Sequence, residues 1–258
     1  MKKVVVKIGG SLAIDEDKLF EFVSALSRLP GGDFRIALVH GGGKDINENL
    51  ALLSEKPQFI DGLRVTTASI MNMVEMTLSG HVNKKLVRML MQKKCPAIGI
   101  SGVDGGLFHA KKHEGAVDLG FVGDIDAVNP KIVEDLWNAD WTPVVSPISL
   151  GDSFSWNVNA DVAASELAVA LKADQFVLVS DVPGVMDREK QVIPELSEAK
   201  TEELIQAGVI TGGMIPKVRS SLNSIKRGLK AIHIVGWKDE EHFYKQILGE
   251  VNYGTILN

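Results

Sequence analysis

Two lysines stand where a bound anion would stabilise them. Lys7 interrupts the β-branched run of residues 4–8, just before two glycines. Lysine is seldom buried without a negative partner, so this position predicts an anion beyond the strand. A lysine whose amine reaches solvent from the strand end fits the local pattern equally well. Lys217 follows Pro216 at the predicted start of a helix, where the dipole disfavours a cation unless an anion binds there.

A glycine run and an arginine add two candidate anion sites. Gly41, Gly42 and Gly43 lie between a predicted strand and a helix, and their backbone N–H groups could hold an anion. A tight strand-to-helix turn would need the same glycines. Arg64 has the forked shape that grips a carboxylate, although a surface ion pair is the commoner fate of arginine. Neither the P-loop pattern nor the dinucleotide pattern is present in the glycine run.

Three polar residues, Asn157, Asn159 and Asp161, mark another predicted strand-to-helix junction. Asn159 is a suitable N-cap, and the helix dipole favours Asp161 in the first turn. This capping role explains Asp161 by itself. Together, however, the three side chains also form a compact hydrogen-bonding cluster. Asp181 follows a further predicted strand and opens a loop of turn-forming residues.

These residues predict phosphoryl transfer if their strands share one parallel sheet. Ligands of open parallel sheets bind beyond the carboxyl ends of the strands, and Lys7, the glycine run, Asn157 and Asp181 all follow predicted strands. Two lysines, two glycine turns and one carboxylate describe a phosphate site in which charge neutralisation does most of the catalysis. A carboxylate acceptor is already ionised at neutral pH, so such a reaction needs no general base.

The elements that must position these residues alternate between strands and helices, which predicts an α/β fold with a helix-covered parallel sheet. A β-hairpin is predicted within 102–128, and residues 255–257 are expected to form a short tail. A change of lobe near Lys172 divides the chain into 1–172 and 173–258. The predicted strands are 4–8, 34–39, 97–101, 142–148, 176–180 and 231–235. The predicted helices with stated bounds are 17–29, 68–93, 130–138, 162–171, 216–228 and 240–248. One further helix is predicted after the glycine run, with Ile46, Leu50 and Leu53 on one face, and another is predicted to be capped by Thr201.

Composition excludes several classes of protein. The 258 residues carry a net charge of -5, so no overall basic field attracts nucleic acid. The single cysteine, Cys95, excludes an internal disulfide. No apolar run is long enough for a signal peptide or a membrane span, which predicts a soluble cytoplasmic protein. His109 and His113 share a face of the predicted hairpin, but without a carboxylate or cysteine at ligand spacing they predict no metal site.

The chain resembles the amino acid kinase family along essentially its whole length. The segments that end in Arg64–Thr66 and in Asp161 are the most specific. Within the family, the chain is most similar to kinases that phosphorylate the side-chain carboxylate of N-acetyl-L-glutamate in arginine biosynthesis. The matching segments are KIGGS at 7–11, HGGG at 40–43, DGLRVT at 61–66, NVNAD at 157–161, SDVPGV at 180–185 and GGMIPK at 212–217.

The resemblance implies a three-layer αβα sandwich with an open, mainly parallel central sheet. The lobe at 1–172 would bind the acyl-amino acid and dimerise, and the lobe at 173–258 would bind ATP. Catalytic roles are implied for Lys7, Gly10, Asp161 and Lys217, and substrate contacts for Gly42, Gly43, Arg64 and Asn157. Nucleotide contacts are implied for Gly9, Asp181, Val182, Gly184, Val185, Met186, Val209, Ile210, Thr211 and Met214.

The resemblance also implies partners and assembly. ATP would be the co-substrate, with Mg²⁺ held mainly by its phosphates rather than by dedicated protein ligands. The protein would be a homodimer, paired through the methionine-rich helix at 68–93. Arginine-inhibited members carry an additional N-terminal helix. Because this chain begins at its first strand, the resemblance implies an arginine-insensitive enzyme.

Two other functions stay open on the sequence. The substrate could be N-acetyl- or carrier-bound aminoadipate, since one methylene changes binding by only about 1–3 kcal/mol. The chain could also be a non-catalytic kinase-like module that binds an amino acid. Such a module is expected to lack one of the charged groups, whereas Lys7, Asp161 and Lys217 are all present.

Overall fold

A computed structural model describes residues 1–13, 15–29, 32–212 and 214–258. For Ser11, Ala13 and Pro216 it describes the backbone only. Gly213, in the matching segment GGMIPK at 212–217, lies outside the described residues.

The centre of the fold is an eight-stranded sheet, as the alternation of strands and helices predicts. Its strand order is β12-β14-β13-β11-β1-β2-β8-β5. The six strands from β13 to β5 run parallel, whereas β14 pairs antiparallel with β13. The strands are β1 Lys2–Ile8, β2 Phe34–His40, β3 Phe59–Ile60, β4 Leu63–Arg64, β5 Ala97–Ser101, β6 Phe108–Lys112, β7 Gly123–Val128, β8 Thr142–Ser146, β9 Ile148–Leu150, β10 Ser155–Asn157, β11 Gln175–Ser180, β12 Glu195–Leu196, β13 Ile232–Gly236 and β14 Thr255–Leu257.

Helices cover both faces of the sheet, which gives the predicted three layers. Helices α5, α6 and α8 pack on one face, and α1, α4 and α9 pack on the other. Val5 of β1 lies in the first of these cores and Val6 in the second. Because side chains alternate along a strand, Lys7 points to the face that α6 and α8 cover. The helices are α1 Glu16–Ser27, α2 Gly43–Leu52, α3 Ala68–Glu75, α4 Asn83–Gln92, α5 Lys131–Asn138, α6 Ala160–Leu171, α7 Glu198–Gln206, α8 Met214–Lys226 and α9 Glu240–Leu248.

The long helix predicted at 68–93 is continuous but contains a π-helical segment, Met76–Val82, between α3 and α4. Such segments are rare and often lie at functional sites. No helix in the described ranges is long and apolar enough to cross a membrane.

The region predicted as a hairpin insertion forms a separate four-stranded sheet, with the order β10-β9-β6-β7. The predicted hairpin is confirmed, since β6 and β7 pair antiparallel. The predicted end of the strand at 142–148 is wrong. The strand stops at Ser146, and after Pro147, which has no backbone N–H, the chain enters the second sheet as β9. Asn157 ends β10 of this second sheet, so it does not lie at an end of the central sheet as predicted.

Three further predictions are wrong. Thr201 does not cap α7; it lies buried inside the helix, and Ser197 is the N-cap. The expected tail at 255–257 is strand β14, which pairs with β13. Leu53 lies beyond the end of α2 and is exposed, whereas Ile46 and Leu50 are buried as predicted.

Candidate active site

Asp161 lies between the two lysines that the sequence singles out. Its Oδ1 is 2.7 Å from Lys7 Nζ, and its Oδ2 is 3.5 Å from Lys217 Nζ. Burial by itself would raise the pKa of the Asp161 carboxyl, but the two lysines outweigh burial and lower it. The group therefore carries two positive charges and one negative charge, which leaves a net positive site for an anion.

Three elements bring this group together. Lys7 comes from β1, Asp161 from the first turn of α6 and Lys217 from the first turn of α8. Asn159 caps α6 as predicted, because its Oδ1 accepts hydrogen bonds from the backbone N–H groups of Asp161 and Val162. The cap fixes where the helix begins and so where the Asp161 carboxylate lies.

Gly9 and Gly10 allow the first turn to approach charged side chains closely. A Cβ at position 9 would overlap Lys7 Nζ, and a Cβ at position 10 would overlap the Asp181 carboxylate. Gly10 also has a φ of +64°, which disfavours other residues. Strands β1 and β11 are neighbours, with Lys7 paired with Leu178. The turn after β1 and the loop after β11 therefore meet, and Asp181 lies beside the first turn.

The second glycine run forms the start of α2. Gly42 is the N-cap residue and Gly43 the first helical residue, and among the described residues no side chain is recorded as a cap for this end. The free N–H groups of an uncapped helix start favour an anion. At position 42 a Cβ would overlap Leu78 and crowd Val82, both in the π-helical segment. The segment therefore packs directly against the glycine run, and only glycine fits there.

His40 links the glycine run to the long helix. Its Nδ1 lies 2.9 Å from the carbonyl oxygen of Gly41, so this nitrogen donates the proton. The Asn83 amide donates to His40 Nε2 at 3.1 Å. Burial lowers the pKa of His40 to about 4, so the ring is neutral at pH 7. The sequence predicts no role for His40 or Asn83, because their contact joins elements that are distant in the chain.

Arg64 is buried rather than paired on the surface. Its Nη2 donates to Asn47 Oδ1 at 2.6 Å and to the carbonyl oxygen of Gly43 at 3.1 Å. Its guanidinium lies 4.7 Å from the centre of the Phe59 ring. Among the described residues, the buried Nη1 has no hydrogen-bond partner. A buried donor without an acceptor is costly, so this nitrogen suits a ligand oxygen. Burial also lowers the pKa of the Arg64 guanidinium.

Asn157 contacts Arg64 through a third residue. The Asn157 amide donates to Thr66 Oγ1 at 3.0 Å, and this hydroxyl donates to the backbone oxygen of Arg64 at 2.7 Å. Thr66 is fully buried and did not emerge as a site residue from the sequence. The segments at 61–66 and 157–161 are therefore in direct contact through this chain of hydrogen bonds.

Two adjoining cavities are lined by the four predicted substrate residues and by two of the predicted catalytic residues, whereas Lys7 and Gly10 line neither of them. The smaller, about 200 Å³, is lined by Gly42, Gly43, Arg64 and Asn157, among others. The larger, about 870 Å³, has Asp161 and Lys217 in its wall. The two share three lining residues, Gly62, Leu63 and Asn159. Asp161 therefore lies in the wall of the large cavity, two residues after Asn159, which both cavities share.

The residues predicted to contact a nucleotide are placed differently. Within the described parts of the chain, none of them lines either cavity. Val185 and Ile210 are buried in the core beneath α8, and the Val185 backbone N–H donates to Thr255 Oγ1. In the chain, the predicted nucleotide residues form two groups. The first group, with the turn of Gly9, is Asp181, Val182, Gly184, Val185 and Met186 after β11; the second is Val209, Ile210, Thr211 and Met214 before and at the start of α8.

The two histidines of the hairpin do have carboxylate neighbours. His109 Nδ1 lies 3.1 Å from Asp126, and His113 Nδ1 lies 2.9 Å from Asp124, both across the hairpin. Linear spacing in the sequence does not reveal these two carboxylates, because they come from the facing strand. In the described ranges, no three His, Cys, Asp or Glu side chains are grouped so that they could hold a metal ion.

Comparisons with known proteins agree with this fold. Residues 2–236 match the Amino acid kinase family. The acetylglutamate kinase of Methylobacillus flagellatus is 35% identical over 99% of this chain and 90% of its own length. That of Cupriavidus pinatubonensis is 37% identical over 99% of this chain and 86% of its own. The crystal structure of smu.665 from Streptococcus mutans UA159 superposes with a TM-score of 0.83 at 26% identity, covering 99% of this chain and 98% of that one.

Proposed function

This chain belongs to the amino acid kinase family, and we propose that it uses ATP to phosphorylate the side-chain carboxylate of N-acetyl-L-glutamate, a step of arginine biosynthesis. The observation that carries the proposal is the bridge from Lys7 through Asp161 to Lys217, because Asp161 and Lys217 line the large cavity, which adjoins the small one at Asn159. A phosphoryl group that passes between the cavities would cross this positive group.

The reaction needs charge neutralisation rather than proton transfer. One oxygen of the substrate carboxylate forms a bond to the γ-phosphorus of ATP. The bond from that phosphorus to the bridging oxygen breaks, and ADP leaves with the electron pair. Both partners are anions, so fixed positive charge lowers the barrier. We assign this charge to Lys7 and Lys217, held by Asp161, with backbone N–H groups of Gly10, Gly42 and Gly43 as further donors.

The smaller cavity is proposed to hold the acyl-amino acid. Arg64 presents a buried Nη1 that lacks an acceptor, and a carboxylate supplies the matching oxygen. We assign it the α-carboxylate of the substrate, with Asn157 beside it. This leaves the side-chain carboxylate free to extend toward Lys7 and the uncapped start of α2.

The nucleotide is proposed to bind in the lobe at 173–258, with the acyl-amino acid in the lobe at 1–172. In this assignment the phosphates lie beside Lys217 and Gly212, and the two groups of predicted nucleotide residues surround the rest of ATP. We propose that Mg²⁺ enters with ATP, held mainly by its phosphates. The Asp161 carboxylate is already shared by two lysines, so it does not fit as the ligand of a resident ion.

A cytoplasmic homodimer is the proposed assembly, paired through the long helix. Two of its methionines support this, since Met76 is 61% and Met91 48% exposed. Light scattering on the purified protein is expected to give twice the mass of the chain, and Met76→Glu is expected to lower it. A monomeric wild-type protein would overturn the proposed pairing.

The function is tested by acyl phosphate formation. The purified protein with MgATP, N-acetyl-L-glutamate and hydroxylamine is expected to give the hydroxamate and an equal amount of ADP. No product at saturating substrates would overturn the enzymatic proposal and favour an amino-acid-binding module. A higher kcat/KM with N-acetyl-aminoadipate would overturn the choice of substrate.

A further inference from the structure

We propose that Asn47 is a positioning residue for the α-carboxylate of the substrate, an inference that rests on the function proposed above. Neither the sequence motifs nor the family resemblance assigns Asn47 a role. The residue lies in α2, one helical turn after Gly43, and is half-buried. Its side-chain oxygen is the nearer of the two acceptors that hold Arg64.

Arg64 docks along one face of α2. Residues four apart in a helix lie on the same face, so the Gly43 carbonyl and the Asn47 side chain can hold one nitrogen between them. Nη2 of Arg64 donates to both, at 3.1 Å and 2.6 Å. This nitrogen therefore has both of its hydrogens occupied by α2.

The contact with Asn47 determines which nitrogen of Arg64 is left for a ligand. A guanidinium presents its donors in one rigid plane, so fixing one nitrogen fixes the direction of the other. The Phe59 ring lies against the same group at 4.7 Å. Nη1 is then buried without an acceptor among the described residues, in an arginine that lines the small cavity. Without Asn47 the guanidinium can turn and Nη1 loses its direction.

The effect is expected on binding rather than on phosphoryl transfer, because the α-carboxylate keeps the same contact in the ground state and in the transition state. Asn47→Ala should raise the KM and the Kd for N-acetyl-L-glutamate about tenfold, the range of a charge-assisted hydrogen bond. It should leave kcat within about twofold of wild type.

Asn49→Ala is the matched control. Asn49 lies in the same helix and also makes one side-chain hydrogen bond, to Thr77 Oγ1 at 2.8 Å, but it lines neither cavity. Thermal unfolding of both variants reports the loss of stability that each substitution causes. Asn49→Ala should leave the KM and the Kd unchanged.

The test compares two ligands by calorimetry, N-acetyl-L-glutamate and its α-carboxamide, in which an uncharged amide replaces the α-carboxylate. Asn47→Ala should weaken binding of the acid about tenfold and binding of the amide less than twofold. An equal loss on both ligands, or an equal loss in Asn49→Ala, would overturn the role of Asn47 and leave the proposed function intact. Binding of the acid by wild type without hydroxamate formation would overturn the proposed function alone. Failure of wild type to bind the acid would overturn both.

Discussion

Lys7 Nζ lies 2.7 Å from Asp161 Oδ1, although Lys7 is near the end of β1 and Asp161 is in the first turn of α6, far along the chain. The contact resolves the two interpretations of Lys7 that the sequence leaves open. Its side chain is only 11% exposed, so it does not reach solvent from the strand end. A buried lysine beside a carboxylate and a second lysine is an anion site with fixed charges.

Removal of the second lysine should reduce the rate more than the affinity. Lys217→Ala is expected to lower kcat by about 100-fold or more, because a charge aimed at the transferring group acts in the transition state. The KM for N-acetyl-L-glutamate should change by less than about threefold. Steady-state hydroxamate kinetics measure both. Arg219→Ala, which removes a cation from the same helix that pairs with Glu202, is the control and should keep wild-type kcat. Near-normal kcat in Lys217→Ala would contradict the role assigned to Lys217.

Asp161 should contribute stability that acid removes. Its pKa is lowered from an ordinary value of 3.8, because the two lysines outweigh burial. The unfolded state therefore takes up a proton before the folded state does, and the stabilisation is lost as pH falls from about 4 through the folded pKa. Urea unfolding between pH 5 and pH 2 should show a smaller loss for Asp161→Asn than for wild type. If the free energies of unfolding of Asp161→Asn and wild type fell in parallel with pH, the lysines would not stabilise this carboxylate.

His40 should lower the free energy of unfolding as the pH falls from 6.5 to about 4, a range above the one in which Asp161 acts. The folded ring has a pKa of about 4, against 6.5 for an ordinary histidine. Between these values the unfolded state binds a proton that the folded state does not, so the free energy of unfolding falls as pH drops. The difference corresponds to at most about 3 kcal/mol.

His40→Gln tests this pH dependence. Its unfolding free energy should vary less between pH 6.5 and pH 4 than that of wild type. If His40→Gln kept the wild-type slope, the ring would be charged in the folded state.

Substitution of Arg64 by either alanine or lysine should weaken binding of N-acetyl-L-glutamate. Arg64→Ala is expected to raise the KM for N-acetyl-L-glutamate by 10-fold or more, with a smaller change in kcat. Arg64→Lys keeps the charge but lacks the fork that meets Asn47, Gly43 and a ligand together, so it should rescue little. Substrate titrations of both variants measure this, and full rescue by lysine would show that charge alone matters.

Trp137 should stabilise the sheet through one buried hydrogen bond. Its Nε1 donates to the carbonyl oxygen of Ile36 at 2.8 Å. Trp137→Phe leaves that oxygen without its partner, and the free energy of unfolding should fall by about 1–3 kcal/mol. Trp141→Phe, at a partly exposed position, is the control and should cost less in the same urea titration. Equal losses of unfolding free energy in the two variants would show that ring size, and not the hydrogen bond, causes the effect.

Much of the fold is determined by local sequence. Apolar runs broken by glycine predict β1, β2 and β5, and apolar spacing predicts α9 at its observed bounds, because burial of one face is a property of neighbouring residues. Caps such as Asn159 are equally local. The same reasoning identifies Lys7, Asp161 and Lys217 one by one, since each is unusual in its own surroundings.

Contacts between distant segments are what only the tertiary structure decided. Local patterns place Asn157 after a strand but not in the second sheet, and they make residues 255–257 a tail because the partner of that strand lies elsewhere. Asn47, Thr66 and His40 are ordinary polar residues in the sequence. They gain their roles from hydrogen bonds that form only when α2, β4 and the long helix are packed together. The sequence therefore determines which charges the site contains, and the packing decides in which direction each of them points.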